Sequence, residues 1–414
     1  MLTPDEGHLD RRIAQEAGTL VGAGWTVDID PSVDPGLGYE ADLPPGVRLL
    51  ANPREPTPRG WRLRALRPLK RAATLAVPAL GRTIEAAQYR MRDIAGEITA
   101  GNLARLLERD PYDLIVAHDV PVMSLAARLK VAWGARLISD LHEVFPEQDE
   151  HFTSETARRY WRALESDGLA ASDGIICVNP AIATYVRERY DPAVPIAVVH
   201  NAVPYVAPAA LLGSMTLRSL YPIPDGSRTL LFAGSLRPHA GLEVLITGFA
   251  AAGLDGWVLA ILGDGPLRES LTSLVARLDL TGRVFLGRHA PQRDLIQIAA
   301  SADVGLLPYQ AVGFNHLIAT PNKLFEYIQA RLPIATSRLP EVERIVAPLG
   351  NAGFVDFASA SSTAAGIDAF LRERVLGITP EVLEAAAVTL SWEREEAALL
   401  RLVQFALRGN EVPR

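Results

Sequence analysis

The chain has 414 residues, 49% of them hydrophobic and 21% charged, with a formal net charge of −7. The length predicts two domains, the composition fills two cores, and the negative charge excludes a general nucleic-acid binder. The single cysteine, Cys177, excludes a disulfide framework or a cysteine-rich zinc site, and no stretch reaches the roughly 20 apolar residues of a membrane span.

The chain opens on Met1-Leu2-Thr3-Pro4-Asp5, without the apolar run of a signal peptide, so a cytoplasmic location is expected. Apolar periodicity from Leu9 to Val21 predicts a helix, and Trp25 to Ile29 alternates as a strand. No full strand precedes that helix: either Met1 to Thr3 is the stub of one, or the true start lies upstream. Residues 31–60 are rich in proline and glycine, with a short strand at Val47 to Leu50. Next come Arg54, Arg59, Arg62, Arg64, Arg67, Lys70 and Arg71, interleaved with Trp61, Leu63, Leu66 and Leu69. A basic amphipathic segment with an interfacial tryptophan suits an anionic membrane surface, with Trp61, Arg62 and Arg64 as contact residues. A solvated loop and helix face is the alternative.

From residue 111 strands and helices alternate. Leu114 to Ala117 is a strand followed by His118-Asp119, and Val122 to Val131 a helix. Arg136 to Ser139 is a strand ending in Asp140-Leu141-His142-Glu143, and a helix covers about 154–169. A strand at 174–178 holds Cys177 in a core run, a helix spans Pro180 to Tyr190, and Ile196 to Val199 is a strand ending at His200-Asn201. Such alternation builds a parallel sheet with helices on both faces, and ligands sit at the carboxyl ends of its strands. His118, His142 and His200 each fall at such an end.

Residues 202–228 read as a linker. The alternation restarts with strand Thr229 to Ala233, the loop Gly234 to Gly241 and a helix to about Ala251. Strand Trp257 to Leu262, the turn Gly263-Asp264-Gly265-Pro266 and a helix follow. Then come strand Val284 to Leu286, helix 293–301 and strand Val304 to Leu307. In the helix starting at Pro321, Thr320 is placed to cap and Pro321 to occupy the first turn. Pro333 predicts an end near Arg331-Leu332. Its start offers free amides and a positive dipole end to a phosphate, Lys323 adds charge, and Glu326 is placed to accept from a ribose diol. A Lys323–Glu326 pair on a solvated face is the other reading. Strands at Ile334 to Thr336 and Gly353 to Val355 follow, and a last helix spans about 393–408. The organisation read is α/β: domains at 1–205 and 206–390, each doubly wound and Rossmann-like, a ligand cleft between them, and a helix at 391–414.

Five motifs stand in order in the second half: Phe232-Ala233-Gly234-Ser235-Leu236, Gly263 to Glu269, Val284 to Gly287, Ala302 to Tyr309 and Pro321 to Tyr327. With Asp10 to Ile13, Ala117 to Pro121 and Asp140 to Glu143 in the first half, the chain resembles glycosyltransferase family 4. The resemblance implies the GT-B fold, with the last helix crossing back onto the first domain. It implies a retaining transferase that moves sugar from a nucleotide-diphosphate sugar to a glycan or lipid-linked acceptor, as in polysaccharide biosynthesis. A nucleotide-sugar-binding partner protein, or an epimerase or phosphorylase of the same fold, is the alternative. Glu326 would bind the ribose, the amides of Asn322, Lys323 and Leu324 the distal phosphate, and His142, then His118, the reacting groups. No metal or other cofactor is implied, and no nucleic-acid partner.

Two departures from the family pattern concern charge. Ser235 stands where an arginine is usual, and Ala240 where a lysine or arginine is usual, both of which neutralise the diphosphate. Arg237 and His239, in the same loop, are the candidates to replace them. A glutamate usual eight positions before Glu326 is replaced by Ile318, and Asn315 fits the branch that uses an asparagine instead.

Overall fold

The structure, a computed structural model, describes residues 1–4, 9–31, 43–50, 83, 85, 93–148, 154–288 and 290–408. The basic segment with Trp61, Arg62 and Arg64 lies outside the described residues. The chain forms two compact units, Met1–His200 with Glu396–Arg414, and Asn201–Glu395. No single described helix is long and apolar enough to cross a membrane.

The first unit holds a parallel sheet in the order β3-β2-β1-β4-β5-β6-β7. Its strands are β1 Leu2–Thr3, β2 Val27–Pro31, β3 Val47–Leu49, β4 Leu114–His118, β5 Arg136–Leu141, β6 Gly174–Cys177 and β7 Ile196–Val198. Ile115, Val116, Leu137, Ile138, Ile175 and Ile176 are all buried, as expected for strands covered on both faces. The two-residue β1 pairs with β2 through Leu2–Asp30 and with β4 through Leu2–Ala117, so the stub sits inside the sheet. Strand order reverses between β1 and β4, which is where such a sheet opens a crevice at its carboxyl edge.

Around this sheet lie α1 Arg11–Gly22, α2 Ile94–Leu107, α3 Met123–Trp133, α4 Glu155–Ala170 and α5 Pro180–Tyr190. The carboxylate of Asp10 caps α1 by accepting from the Arg12 amide at 2.9 Å. The buried face of α1 carries Ile13, Ala17 and Leu20, as its periodicity predicts, but also Arg12 and Glu16.

A second buried acid braces α4 against α5. Glu165 is fully buried and accepts hydrogen bonds from the hydroxyls of Tyr185, at 3.1 Å, and Tyr190. Burial pushes its carboxyl up from 4.5 to about 7. The folded state therefore holds a proton that the unfolded chain releases, and the stability this contributes is lost as pH rises from 4.5 through 7. Glu165→Gln, neutral at every pH, should gain about 3 kcal/mol on the wild type between pH 4.5 and 8. Urea unfolding at both pH values checks this, and a pH-independent difference would refute it.

The second unit holds a parallel sheet in the order β10-β9-β8-β11-β12-β13. Its strands are β8 Arg228–Ala233, β9 Trp257–Leu262, β10 Val284–Gly287, β11 Val304–Leu307, β12 Ile334–Thr336 and β13 Ala352–Phe354. The order reverses between β8 and β11, so the carboxyl ends of these two strands frame the crevice. The helices are α6 Leu242–Ala252, α7 Arg268–Arg277, α8 Leu295–Ala300, α9 Phe314–Leu317, α10 Asn322–Gln329, α11 Pro340–Leu349, α12 Ala360–Ala369, α13 Pro380–Thr389 and α14 Trp392–Arg408. The stretch read as a linker, 202–228, contains two single turns, Pro208–Leu211 and Leu217–Leu220.

From Glu396 onward α14 belongs to the first unit. It buries Leu399, Leu402, Val403 and Ala406, and Leu402 sits so close to β6 that a Cβ on Gly174 would lie 3.0 Å from its Cδ1. The Thr19 hydroxyl of α1 donates to Glu396 at 3.0 Å.

Candidate functional site

In the second unit the site is built on α10. Tyr327 fixes this helix: it is fully buried, its hydroxyl accepts from the Ala233 amide at 2.8 Å, and it donates to the Leu231 carbonyl at 3.2 Å. The second turn of α10 is therefore tied to the end of β8. The helix begins one residue later than predicted, with Pro321 at the cap position and no side-chain cap. The Thr320 hydroxyl is buried and makes no hydrogen bond among the described residues, so it does not cap. The Leu324 amide donates to the Pro321 carbonyl at 2.9 Å, which withdraws it from phosphate binding. The amides of Asn322 and Lys323 remain at the helix start, where the dipole favours an anion. The helix stops at Gln329 rather than Arg331–Leu332, because Arg331 adopts φ +58° and the Leu332 amide turns back to the Tyr327 carbonyl at 3.0 Å.

The i,i+3 pairing of Lys323 and Glu326 forms, but not on a solvated face. The Lys323 ammonium lies 2.7 Å from Glu326 Oε2, and Glu326 is buried. The pair keeps a carboxylate and an ammonium at the mouth of the crevice, each neutralised by the other. The Asn322 carboxamide accepts from Asn201 Nδ2 at 2.9 Å.

The loop after β8 meets the turn after β9 backbone to backbone. A Cβ on Gly263, at φ +152°, would lie 1.8 Å from the Gly234 carbonyl oxygen, and one on Gly265 would lie 2.6 Å from that of Leu236. The Leu236 amide donates to the Asp264 carbonyl at 2.9 Å. On this floor Ser235 is exposed and accepts from Arg237 Nε at 3.2 Å. The His239 ring stacks on Tyr309 at 6.0 Å and meets the His316 ring at 4.5 Å. Tyr309 is near Glu326: burial raises its phenol first, and the charge of Glu326 adds to the shift. Asn315 is buried on α9 beside His316. Sequence reasoning named Arg237, His239 and Asn315 but missed His316, for which no local signal existed.

In the first unit the carboxyl ends of β4 and β5 and the first turn of α1 converge on Asp140. Arg12 donates to both its oxygens, Nε to Oδ2 at 2.8 Å and a second nitrogen to Oδ1 at 3.0 Å, and donates again to the Val199 carbonyl at 2.8 Å. The same Oδ2 lies 3.0 Å from His118 Nδ1 and 3.1 Å from His142 Nε2. Arg12 is also 3.0 Å from Glu16. Asp119, at φ +60°, accepts from the His142 amide at 3.1 Å and sets its Oδ2 3.5 Å from His142 Nδ1. A non-glycine residue in that region is strained, a feature that clusters at functional sites. His118 and His142 are thus brought together as predicted, whereas Arg12, Glu16 and Asp119 enter the cluster unforeseen. His200 follows Val199 at the end of β7.

The charges divide unequally. Burial works against charge on His142, but Asp119 and Asp140 outweigh it and hold the imidazolium up to about 10. Burial pushes His118 down to about 4, only partly opposed by Asp140. Burial would also raise Asp140, yet Arg12 and His142 keep it well below the usual carboxylate range. Burial, and then the charge of Asp140, lift Glu16 well above that range. At Asp119 burial wins over His142 and pushes the carboxyl up to about 7. Near neutral pH His142 is therefore a cation and a donor, and His118 a neutral ring. His118, Asp140 and His142 offer ligand atoms within 4.8 Å of one another. The Arg12 guanidinium already takes both oxygens of Asp140, and a doubly protonated His142 has no lone pair for a metal.

Residues 81–205 match the family described as Glycosyltransferase Family 4, and residues 216–387 the one described as Glycosyl transferases group 1. No curated protein matches the sequence. Among solved structures, the chain is similar to Anabaena HepE in complex with UDP-glucose, at 16% identity and TM-score 0.66, with 99% of each chain covered. Sucrose-phosphate synthase from Thermosynechococcus elongatus shares 17% identity at TM-score 0.65, over 95% of this chain and 92% of that one. An alpha,alpha-trehalose-phosphate synthase (UDP-forming) from Burkholderia vietnamiensis shares 15% at TM-score 0.64, over 98% and 99%. At such identities the likeness is one of fold.

Proposed function

The chain belongs to glycosyltransferase family 4 and is a glycosyltransferase of the GT-B fold, and from that premise we propose that it transfers a sugar, with retention, from a nucleotide-diphosphate sugar to a glycan or lipid-linked acceptor. The observation that carries the proposal is the Lys323–Glu326 pair at the start of α10, tied to the β8 end by Tyr327. Glu326 accepts the two ribose hydroxyls. The Asn322 and Lys323 amides and the Lys323 ammonium take the distal phosphate. The bond from the anomeric carbon to that phosphate breaks as the acceptor's hydroxyl oxygen bonds to the same face of the carbon; the diphosphate departs with the electron pair, and its oxygen takes the acceptor's proton. Fixed donors aimed at this growing charge are the main source of rate.

His142 acts as a cation and hydrogen-bond donor to the reacting groups, because Asp140 and Asp119 keep it protonated and so unfit as a general base. His118 meets the same oxygen of Asp140 and helps to fix it. In this reading the Lys323 ammonium and the helix-start amides, rather than a metal, meet the charge of the diphosphate. The UDP-glucose bound by HepE supports UDP-sugars as the first donors to try. The basic stretch from Arg54 to Arg71 supports an acceptor at an anionic membrane surface, as in polysaccharide synthesis on the cytoplasmic face. Salt-sensitive binding to anionic vesicles checks that part.

The test is incubation with UDP-, GDP- and ADP-sugars and a lipid-linked glycan extract, with products read by mass spectrometry. Transfer or donor hydrolysis from one of them is expected. Its absence with all of them would sink the proposal. A product that forms without any acceptor would point to an epimerase instead.

A further inference from the structure

We propose that His316 is a donor-binding residue, and that with His239 it forms an imidazole pair that holds the diphosphate in place of the cations missing at Ser235 and Ala240. The inference rests on the donor reading of the second unit and names a part of that site.

Neither departing position is placed to neutralise a diphosphate. Ala240 is fully buried and packs in the core with Leu236 and Leu242. Ser235 is neutral, and its hydroxyl already serves Arg237. Of the loop's own side chains, Arg237 and His239 are left. His239 is held from two further elements. Its carbonyl accepts from the Gln310 amide at 2.8 Å, and its ring lies over Tyr309, nearly parallel at 20°. That sets the His239 ring, on the loop after β8, against the segment after β11, beside the residue that feels the charge of Glu326.

His316 completes the arrangement from the other side. It lies on α9, the turn of helix that leads through Thr320 into α10, and its ring centroid is 4.5 Å from that of His239. The two elements that carry the imidazoles are thus the diphosphate loop and the segment that delivers Lys323. Each imidazole carries an N–H donor, and rings with centroids 4.5 Å apart bring two such groups to one anionic ligand. Hydrogen bonds to an anion are stronger than those between neutral groups. Plain ring packing would keep the same contact but would contribute nothing to telling a diphosphate from a nucleoside.

That difference is the experiment. Isothermal titration calorimetry of the full chain with UDP and with uridine should show that His316→Ala weakens UDP about tenfold while changing uridine by less than about twofold. GDP with guanosine and ADP with adenosine are run alongside, and the ratio is read on whichever pair the wild type binds. His316→Gln, which keeps an N–H donor and guards against misfolding, should recover most of the loss. Adding Ser235→Arg to the His239→Ala/His316→Ala double variant should restore diphosphate binding by returning a cation to the exposed rim. An unchanged diphosphate affinity in His316→Ala, or an equal loss for diphosphate and nucleoside, overturns the pair and leaves the donor site standing. A wild type that binds none of the three diphosphates overturns the donor reading itself, and the pair with it.

Discussion

Replacing Arg12 with methionine is expected to cost about 3–5 kcal/mol of stability, the usual penalty for stripping one partner from a buried ion pair. The guanidinium is buried and carries two bonds to Asp140 and one to the Val199 carbonyl. Without it Asp140 must either stay ionised against two histidines or take up a proton and release them. The loss should appear as an earlier transition in urea unfolding followed by circular dichroism. Arg12→Met/Asp140→Asn should recover part of it, because Asp140 is then no longer a buried carboxylate without its guanidinium. A loss below about 1 kcal/mol would mean that water reaches the cluster and the network is not what holds it.

Asp140→Asn alone gives a second readout. It removes one of the three carboxylates, Asp119, Asp140 and Asp10, that raise His142, so that imidazole should fall from about 10 toward its ordinary value of 6.5. The protonated form is the active one in our reading, so activity should begin to fall at lower pH than in the wild type. Titration of the ring by NMR locates the change directly.

Glu326→Ala is expected to raise the donor KM about a hundredfold or more, the worth of two hydrogen bonds from a diol to a carboxylate. Ribose contacts are the same before and during reaction, so kcat should change little. The melting temperature should also move little, since Lys323, the group left without its carboxylate, is already partly exposed and can turn to water. Lys323→Ala should do the reverse and lower kcat, because charge grows on the phosphate it meets as the bond breaks. If Glu326→Ala instead lowers kcat and leaves KM alone, the ribose assignment is wrong.

The central strands were legible because they are short apolar runs buried on both faces, whereas β3 and β7 at the sheet edges are only partly buried. Pro321 and Pro333 marked α10 to within a few residues. What they could not supply was its boundaries, because Thr320 is turned into the interior and the chain leaves the helix through a left-handed Arg331. Nothing in the apolar periodicity of α1 marked Arg12 and Glu16 as buried. They are buried only because Asp140, 128 residues further on, reaches them across the sheet. The same distance in sequence hid His316, whose partner His239 lies on another loop. Helices α11 to α13 went unread: α11 has Pro348 inside it, and α12 is a run of Ala, Ser and Thr with few apolar residues to mark a face.

The interlock of Gly263 and Gly265 with the carbonyls of Gly234 and Leu236 divides the loops after β8 and β9 into two kinds of position. Any side chain at the two glycines would push the loop apart, so that floor tolerates no variation. Ser235 on the rim touches no such constraint and is exposed. The loop can therefore exchange its charges one residue at a time while its backbone stays as it is. A protein built this way can lose an arginine, gain a histidine from a neighbouring helix, and never pass through an unfolded intermediate in its history.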